Sequence, residues 1–256
     1  MKLTVVGCSG SVSGPESASS CYLLQAEDRG TITSVVLDLG SGAFGQLLRF
    51  VDPGTLDGVL LSHLHADHVV DTAALEVHLK YAPTGPYAPM RVFGPQGTSE
   101  RLAQIAGDDG AESPFQVEAW RPGERVRLGS LTIEPFPVLH PVPAFALRIT
   151  GPGERAGTTR VLTFTGDTDL CEGVSRASDG ADLLLAEAAF EEGRDHVRGI
   201  HLTGRRAGEL ASGSGARRLV LTHIPPWTNP ATVRAEACTT FSGPVDLAAP
   251  GACWSL

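Results

Sequence analysis

Ser62-His63-Leu64-His65-Ala66-Asp67-His68 follows directly on the apolar run Val59-Leu60-Leu61 and decides how the rest of the chain is read. Three imidazoles and one carboxylate fall within six positions. Alternate residues of an extended or turning segment aim His63 and His65 at one metal ion. Asp67 and His68, beyond a small alanine that lets the backbone turn, reach a second ion close by. Imidazole nitrogen and carboxylate oxygen suit Zn²⁺ best, with Mn²⁺ or Fe as other occupants. A single histidine is more often a core or surface residue than a ligand, but four such donors at this spacing read as a metal motif.

Working outward, the same pattern recurs. Val35-Val36-Leu37 ends at Asp38, and Leu131 to Leu139, interrupted by prolines, ends at His140. Val161 to Gly166 ends at Asp167, Leu183 to Ala186 at Glu187, and Leu219 to Thr222 at His223. Short apolar runs of this kind are buried strands more often than helices. Polar groups at strand ends converge on one rim of a sheet, so these endings predict one site assembled from the whole chain. Helices are expected over Val69–Lys80, with Val70, Ala74 and Val77 on one face, and over Ser99–Ala106, Thr203–Ser212 and Thr232–Thr240. Gly151-Pro152-Gly153 and Gly157 read as the loop of a hairpin joining Phe145–Thr150 to Arg160–Phe164. Early strands, a metal motif with its helix, then further strands with interleaved helices predict two sheets with helices outside. No repeat or linker divides residues 1–256, so a single domain is expected.

Two ions need more donors than the first motif holds. His140, Asp167 and His223 are the candidates, giving His63, His65, His140 and Asp167 to one ion. Asp67, His68 and His223 go to the other, with Asp167 bridging. Two divalent cations offset by two carboxylates leave local positive charge that draws an anionic substrate, and paired ions activate water and stabilise an in-line displacement at phosphorus. Asp38 reads equally as the partner of a ligating imidazole or as a turn aspartate. Glu187 and His201 read either as a pair that raises the imidazole pKa or as a capping segment around His201-Leu202-Thr203. His78 and His196 are expected to be structural. The loop Gly7-Cys8-Ser9-Gly10-Ser11-Val12-Ser13-Gly14 reads as a lining of backbone amides for phosphate or as a flexible turn.

Composition narrows the function classes. A net charge of −9 argues against gripping long nucleic acid, which needs clustered Lys and Arg. The doublets Arg205-Arg206 and Arg217-Arg218 read as solvated faces. No apolar run approaches the roughly 20 residues that span a bilayer, and five widely spaced cysteines without a CxxC pair fit reduced thiols in a cytoplasm.

With these residues in hand, the chain resembles the metallo-β-lactamase-fold hydrolases, through His63-x-His65-x-Asp67-His68 followed by His140, Asp167 and His223. That resemblance implies an αββα sandwich with metals at one edge of the sheets. It is most similar to the RNase Z-like branch, which cleaves phosphodiesters with metal. Leu185-Ala186-Glu187-Ala188-Ala189-Phe190 resembles that branch's HEAT-type motif, with Ala186 where the branch has His. His201-Leu202-Thr203 resembles its His-x-Thr motif. The resemblance implies that Asp67 takes part in the chemistry, that Glu187 and His201 form a proton-donating pair, and that the protein is a homodimer. The interval between His140 and Asp167 holds no room for the tRNA-gripping arm, and the segment Pro15–Ser20 lacks the basic residues of tRNA-processing members.

Gly7–Pro15, Phe145-x-Leu147-Arg148-Ile149-Thr150 and Leu221-Thr222-His223-Ile224-Pro225-Pro226-Trp227-Thr228 resemble actinobacterial atypical cyclic-nucleotide phosphodiesterases. This likeness implies hydrolysis of 3′,5′-cyclic AMP, or another small anionic cyclic nucleotide, to the 5′-monophosphate. Trp227, close after a ligand, reads either as a residue that stacks a base or as a packing Trp, the commoner case. The alternatives are tRNA 3′ processing, acyl hydrolysis of a lactam, lactone or thioester, and a non-catalytic metal-binding protein.

Overall fold

The computed structural model describes residues 1–107 and 112–256. The apolar runs form two mixed sheets of seven strands each. The first holds β1 (Lys2–Gly7), β2 (Cys21–Asp28), β3 (Thr31–Leu37), β4 (Gly58–Leu60), β5 (Met90–Gly94) and β6 (Phe115–Ala119) in chain order. The second holds β7 (Val126–Leu128), β8 (Leu131–Pro137), β9 (Phe145–Pro152), β10 (Thr159–Phe164), β11 (Leu183–Glu187), β12 (Leu219–Thr222) and β13 (Val245–Leu247). The last strand, β14 (Cys253–Ser255), returns to the first sheet and pairs with β1.

Alternation along each strand explains why the runs look continuously apolar. Val35 and Leu37 face the core between the sheets, whereas Val36 faces outward. Leu183 and Leu185 likewise point inward while Leu184 and Ala186 point outward. Both faces are covered, so neither can be polar. The outer face of the first sheet is packed by α1 (Ala43–Leu47), α3 (Thr72–Tyr81) and α4 (Thr98–Ala106), with α2 (Ala66–Val69) leading into α3. The outer face of the second is packed by α5 (Glu172–Ser178), α6 (Gly204–Gly213) and α7 (Pro230–Cys238). The result is the expected αββα sandwich. Each fully buried leucine of its three apolar layers contributes about 1.5–3 kcal/mol by leaving water.

The direction of the strands locates the site. β3 and β4 are parallel, and so are β10, β11 and β12. Their carboxyl ends therefore lie at one edge, carrying Asp38, His63, Asp167, Glu187 and His223 together. The Phe145 amide donates to the Ser62 carbonyl (3.0 Å), joining the two sheets at this edge. His140 follows the antiparallel β8 by three residues and is brought in by an isolated bridge between Leu139 and Asp169.

Three helix expectations are corrected. The segment Val69–Lys80 is two helices, because α2 closes and the chain restarts at Thr72. The face that α3 buries carries Thr72, Leu75 and Leu79, while Val77 is exposed. The helix expected from Thr232 begins at Pro230, where the missing N–H costs nothing, and the Asn229 side chain caps it. Helix α6 starts at Gly204 because the Thr203 hydroxyl accepts from the Arg206 amide (3.2 Å). The hairpin expected around Gly151–Gly157 is present as β9 and β10.

Candidate metal centre

Each strand end delivers its side chain to one cluster. His63 Nε2 lies 3.0 Å from His65 Nδ1, which lies 3.2 Å from His140 Nε2. Beside this group, His223 Nε2 is 3.1 Å from both His68 Nε2 and Asp67 Oδ2. Asp167 stands between the two groups, with Oδ2 at 3.7 Å from His63 Nε2 and Oδ1 at 3.3 Å from His68 Nε2. The structure thus brings together His63, His65, Asp67, His68, His140, Asp167 and His223, all seven residues singled out from the sequence. Asp67 and His68 get there by a different local route from the expected free turn. They occupy the first turn of α2, whose N-cap is His65.

The outward nitrogens show which way the imidazoles are poised. His68 Nδ1 donates to Asp38 Oδ2 at 2.6 Å, and His140 Nδ1 donates to the Ile200 carbonyl at 2.9 Å. His63 Nδ1 lies 3.1 Å from Ser62 Oγ, whose own proton goes to Asp38 Oδ2 (2.8 Å). With those protons directed outward, three bare Nε2 lone pairs converge on carboxylate oxygens and on one another. Such a set repels itself unless cations or protons sit inside it. Asp167 Oδ1 and His223 Nδ1 are buried without any hydrogen-bond partner among the described residues. The donor set, its hardness and the orphaned Asp167 oxygen fit divalent cations.

Without cations, protons take that role. Burial works against charge on His68, yet Asp167 and Asp38 flank it and hold its pKa well above the ordinary imidazole value. His63 goes the other way, driven well below by burial and by the neighbouring His68. Burial also lowers His65 and His140. Burial opposes ionisation of Asp67 and Asp167, but the surrounding imidazoles keep both carboxyls far below the usual carboxylate range.

Asp38 is the partner of a cluster histidine and not simply a turn aspartate. It is buried and also accepts from the Ser62 amide at 2.7 Å. Asp38 and His223 both hold left-handed backbone (φ 56° and 54°), a conformation costly for residues with a Cβ and concentrated at functional sites. Gly166, also left-handed at φ 56°, leaves no room for a side chain: a Cβ there would lie 2.7 Å from Ser62 Cβ. Gly10 in the early glycine-rich loop allows another close approach, since a Cβ would fall 2.2 Å from the His223 carbonyl. That loop packs over His223, with the Ser11 amide 3.4 Å from its Nε2.

Glu187 and His201 do pair. His201 Nδ1 lies 2.9 Å from Glu187 Oε1, and no protein partner reaches Nε2 among the described residues. Glu187 is buried and fixed by the amides of Thr168 and Ala189, each at 3.0 Å. Burial disfavours the His201 cation, but Glu187 outweighs it and pushes the pKa up to about 9. The capping reading holds too, one residue pair along, at Thr203. His201, His65, Asp67 and His140 are the partly exposed members, so the cluster opens on their side.

The sequence profile of the beta-lactamase superfamily domain matches residues 33–224. The chain belongs to the beta-lactamase superfamily. Within it, the Mycobacterium leprae protein ML1173, described as uncharacterized, is 42% identical over 98% of this chain and 87% of its own. The probable metallo-hydrolase YhfI of Bacillus subtilis is 31% identical over 99% of both chains. The YhfI crystal structure superposes with a TM-score of 0.86 over 100% of this chain and 98% of that one. The short form of human tRNase Z, at 21% identity and a TM-score of 0.75 over 100% and 99% of the two chains, shares the fold. This member of the superfamily is accordingly a metallo-hydrolase.

His78 pairs with Asp52 (3.1 Å) and stacks on Tyr87, away from the cluster, and His196 lies in an exposed loop. The Arg206 reading is corrected: its side chain is 4% exposed and forms an ion pair with Asp169. Arg205, Arg217 and Arg218 are more open, paired with Glu209, Asp182 and Asp246. Sequence reasoning missed Asp169, whose role rests on contacts with Gly199 and Arg206 that are distant in the chain. No helix among the described residues is long and apolar enough to cross a membrane.

Proposed function

We propose that this chain is a dinuclear metal phosphodiesterase that hydrolyses 3′,5′-cyclic nucleotides, cyclic AMP foremost, to 5′-monophosphates. The observation that carries the reading is the buried Glu187 carboxylate holding a partly exposed His201 beside the seven-donor cluster. His63, His65 and His140 would hold one ion, and Asp67, His68 and His223 the other, with Asp167 standing between the two groups as a further ligand. Zn²⁺ suits this set best. When bound, paired divalent cations lower the pKa of water and neutralise charge on a phosphoryl centre.

The chain's own residues supply the rest. Asp38, Ser62 and the Ile200 carbonyl hold the imidazoles of His68, His63 and His140 in fixed orientation. Glu187 keeps a proton on His201 Nδ1 and favours the imidazolium, which can release the Nε2 proton to O3′ as the oxygen of a water molecule bonds to phosphorus, that water gives up a proton to solvent, and the P–O3′ bond breaks. A sugar alkoxide is a poor leaving group and gains from that acid, whereas the thiolate released from a thioester needs none. The pair therefore favours a substrate with a poor leaving group, such as a sugar phosphodiester, over a thioester. The interval between His140 and Asp167 holds only the hairpin β9–β10, and the net charge is −9, both of which favour a small substrate over tRNA. Trp227, 63% exposed shortly after His223, is available to stack on a base.

The test is metal analysis followed by turnover of cyclic AMP, cyclic GMP, a generic aryl phosphodiester, precursor tRNA and a β-lactam by the same preparation. Preferential hydrolysis of a cyclic nucleotide supports the reading. Cleavage of precursor tRNA alone, or of the lactam alone, overturns it.

A further inference from the structure

His201 is a loop residue, and a proton donor is useful only at a fixed distance from the reacting centre. One side chain that the proposed chemistry does not use sits where that distance is set. Asp169 is buried two residues beyond Asp167, and its carboxylate accepts from the Gly199 amide (2.8 Å) and from the Leu170 amide (2.8 Å). The Arg206 guanidinium, buried at the start of α6, donates to its Oδ1. Arg206 Nε also reaches Thr203 Oγ1 (3.3 Å), so the pair grips the chain on both sides of His201, at Gly199 and at Thr203. The backbone of Asp169 is tied the other way, its amide donating to the Leu139 carbonyl (3.0 Å), next to His140. His140 in turn donates to the Ile200 carbonyl. One residue thus connects the segments that carry Asp167, His140 and His201, through its carboxylate to the His201 segment and through its backbone amide to the His140 segment.

We propose that Asp169, locked by Arg206, is a positioning residue that registers His201 against the metal cluster. The inference rests on the reading of His201 as the proton donor. Glu187 fixes the direction of the imidazole, and the Asp169–Arg206 pair fixes where its backbone stands. A buried ion pair costs much of its attraction in desolvation, so its retention here is better explained by geometry than by stability.

The test uses the full chain loaded with Zn²⁺. Removing one partner strands a buried charge and threatens folding, so the variant is the paired replacement Asp169→Leu with Arg206→Met, with its melting temperature compared with that of the wild type. Two substrates separate acid positioning from general damage: cyclic AMP, whose alkoxide must be protonated, and bis(p-nitrophenyl) phosphate, whose leaving group needs little help. The expected result is a loss of about 100-fold on cyclic AMP against no more than about threefold on the aryl diester, with bound zinc unchanged. Combining the replacement with His201→Ala is expected to add nothing further. Equal losses on both substrates, loss of zinc, or no loss on either overturns the proposal. If His201→Ala alone shows no such selectivity, the proton-donor reading fails first, which keeps the two failures distinguishable. A readout independent of turnover is the imidazole resonance of ¹⁵N-histidine-labelled protein assigned to His201. It is expected to broaden or shift in the paired variant, and an unchanged resonance overturns the proposal even if every diester tested is inert.

Discussion

His201 carries the sharpest consequences of this arrangement. Replacing it by alanine is expected to lower kcat on a cyclic nucleotide by about 10²–10⁴ while leaving bound metal, read by elemental analysis, unchanged. Loss of metal in that variant would instead make His201 a ligand. The sign of the pH dependence follows from its role. It acts protonated, so activity falls as pH rises through its pKa, which Glu187 raises to about 9 in the metal-free chain and bound cations pull lower. The basic limb of kcat is therefore expected at or below that value and absent in His201→Ala. His68 gives a second prediction. Asp167 and Asp38 keep it protonated in the metal-free protein, so cation binding must expel that proton. Zinc affinity is expected to rise with pH, and calorimetry in buffers of different ionisation enthalpy should show net proton release. Equal apparent heats across buffers would falsify this assignment. Most of the cluster was legible in the sequence because its donors follow apolar runs. Asp169 and Arg206 were not, because an Arg doublet on a helix looks the same whether solvated or buried, and only the path of the 199–203 segment brings it against Asp169.

Among the elements, strand ends were readable and helix faces less so. A strand's period of two leaves its residues few options once both sides are covered. The helix after the metal motif was misread because α2 and α3 are separated by a break and change face there. Tyr22 on β2 was also not foreseen. Its hydroxyl lies 2.6 Å from Thr222 Oγ1 on β12, directly before His223, and its ring packs 5.3 Å from that of Phe164. This hydrogen bond joins the two sheets beneath the site. Tyr22→Phe leaves a buried hydroxyl without its partner and is expected to cost about 1–3 kcal/mol in denaturant unfolding. If the midpoint does not move, the bond is not a structural tie between the layers.

Across the whole molecule, the two sheets share one apolar layer, so the single domain expected for residues 1–256 predicts one calorimetric unfolding transition. Two resolved transitions would separate the layers into independent units. Chelation is expected to abolish hydrolysis and lower the melting temperature. Metal at 100 times its Kd adds about 2.7 kcal/mol to the folded state, and re-addition should restore both properties. The order of donors along the chain, their spacing in His63–His68 and the apolar runs before them pointed to two sheets with helices outside and to a metal motif, because strand periodicity and ligand type are local properties. Which layered fold it is came from the likeness of those motifs to the metallo-β-lactamase-fold hydrolases. The parallel direction of β3–β4 and β10–β12 and the packing of one sheet on the other were not local, and together they bring residues as distant as Asp38 and His223 to the same edge. Which buried charges pair, which imidazole nitrogen faces inward and where His201 stands are set by contacts between segments far apart in the chain, and so by the packed structure.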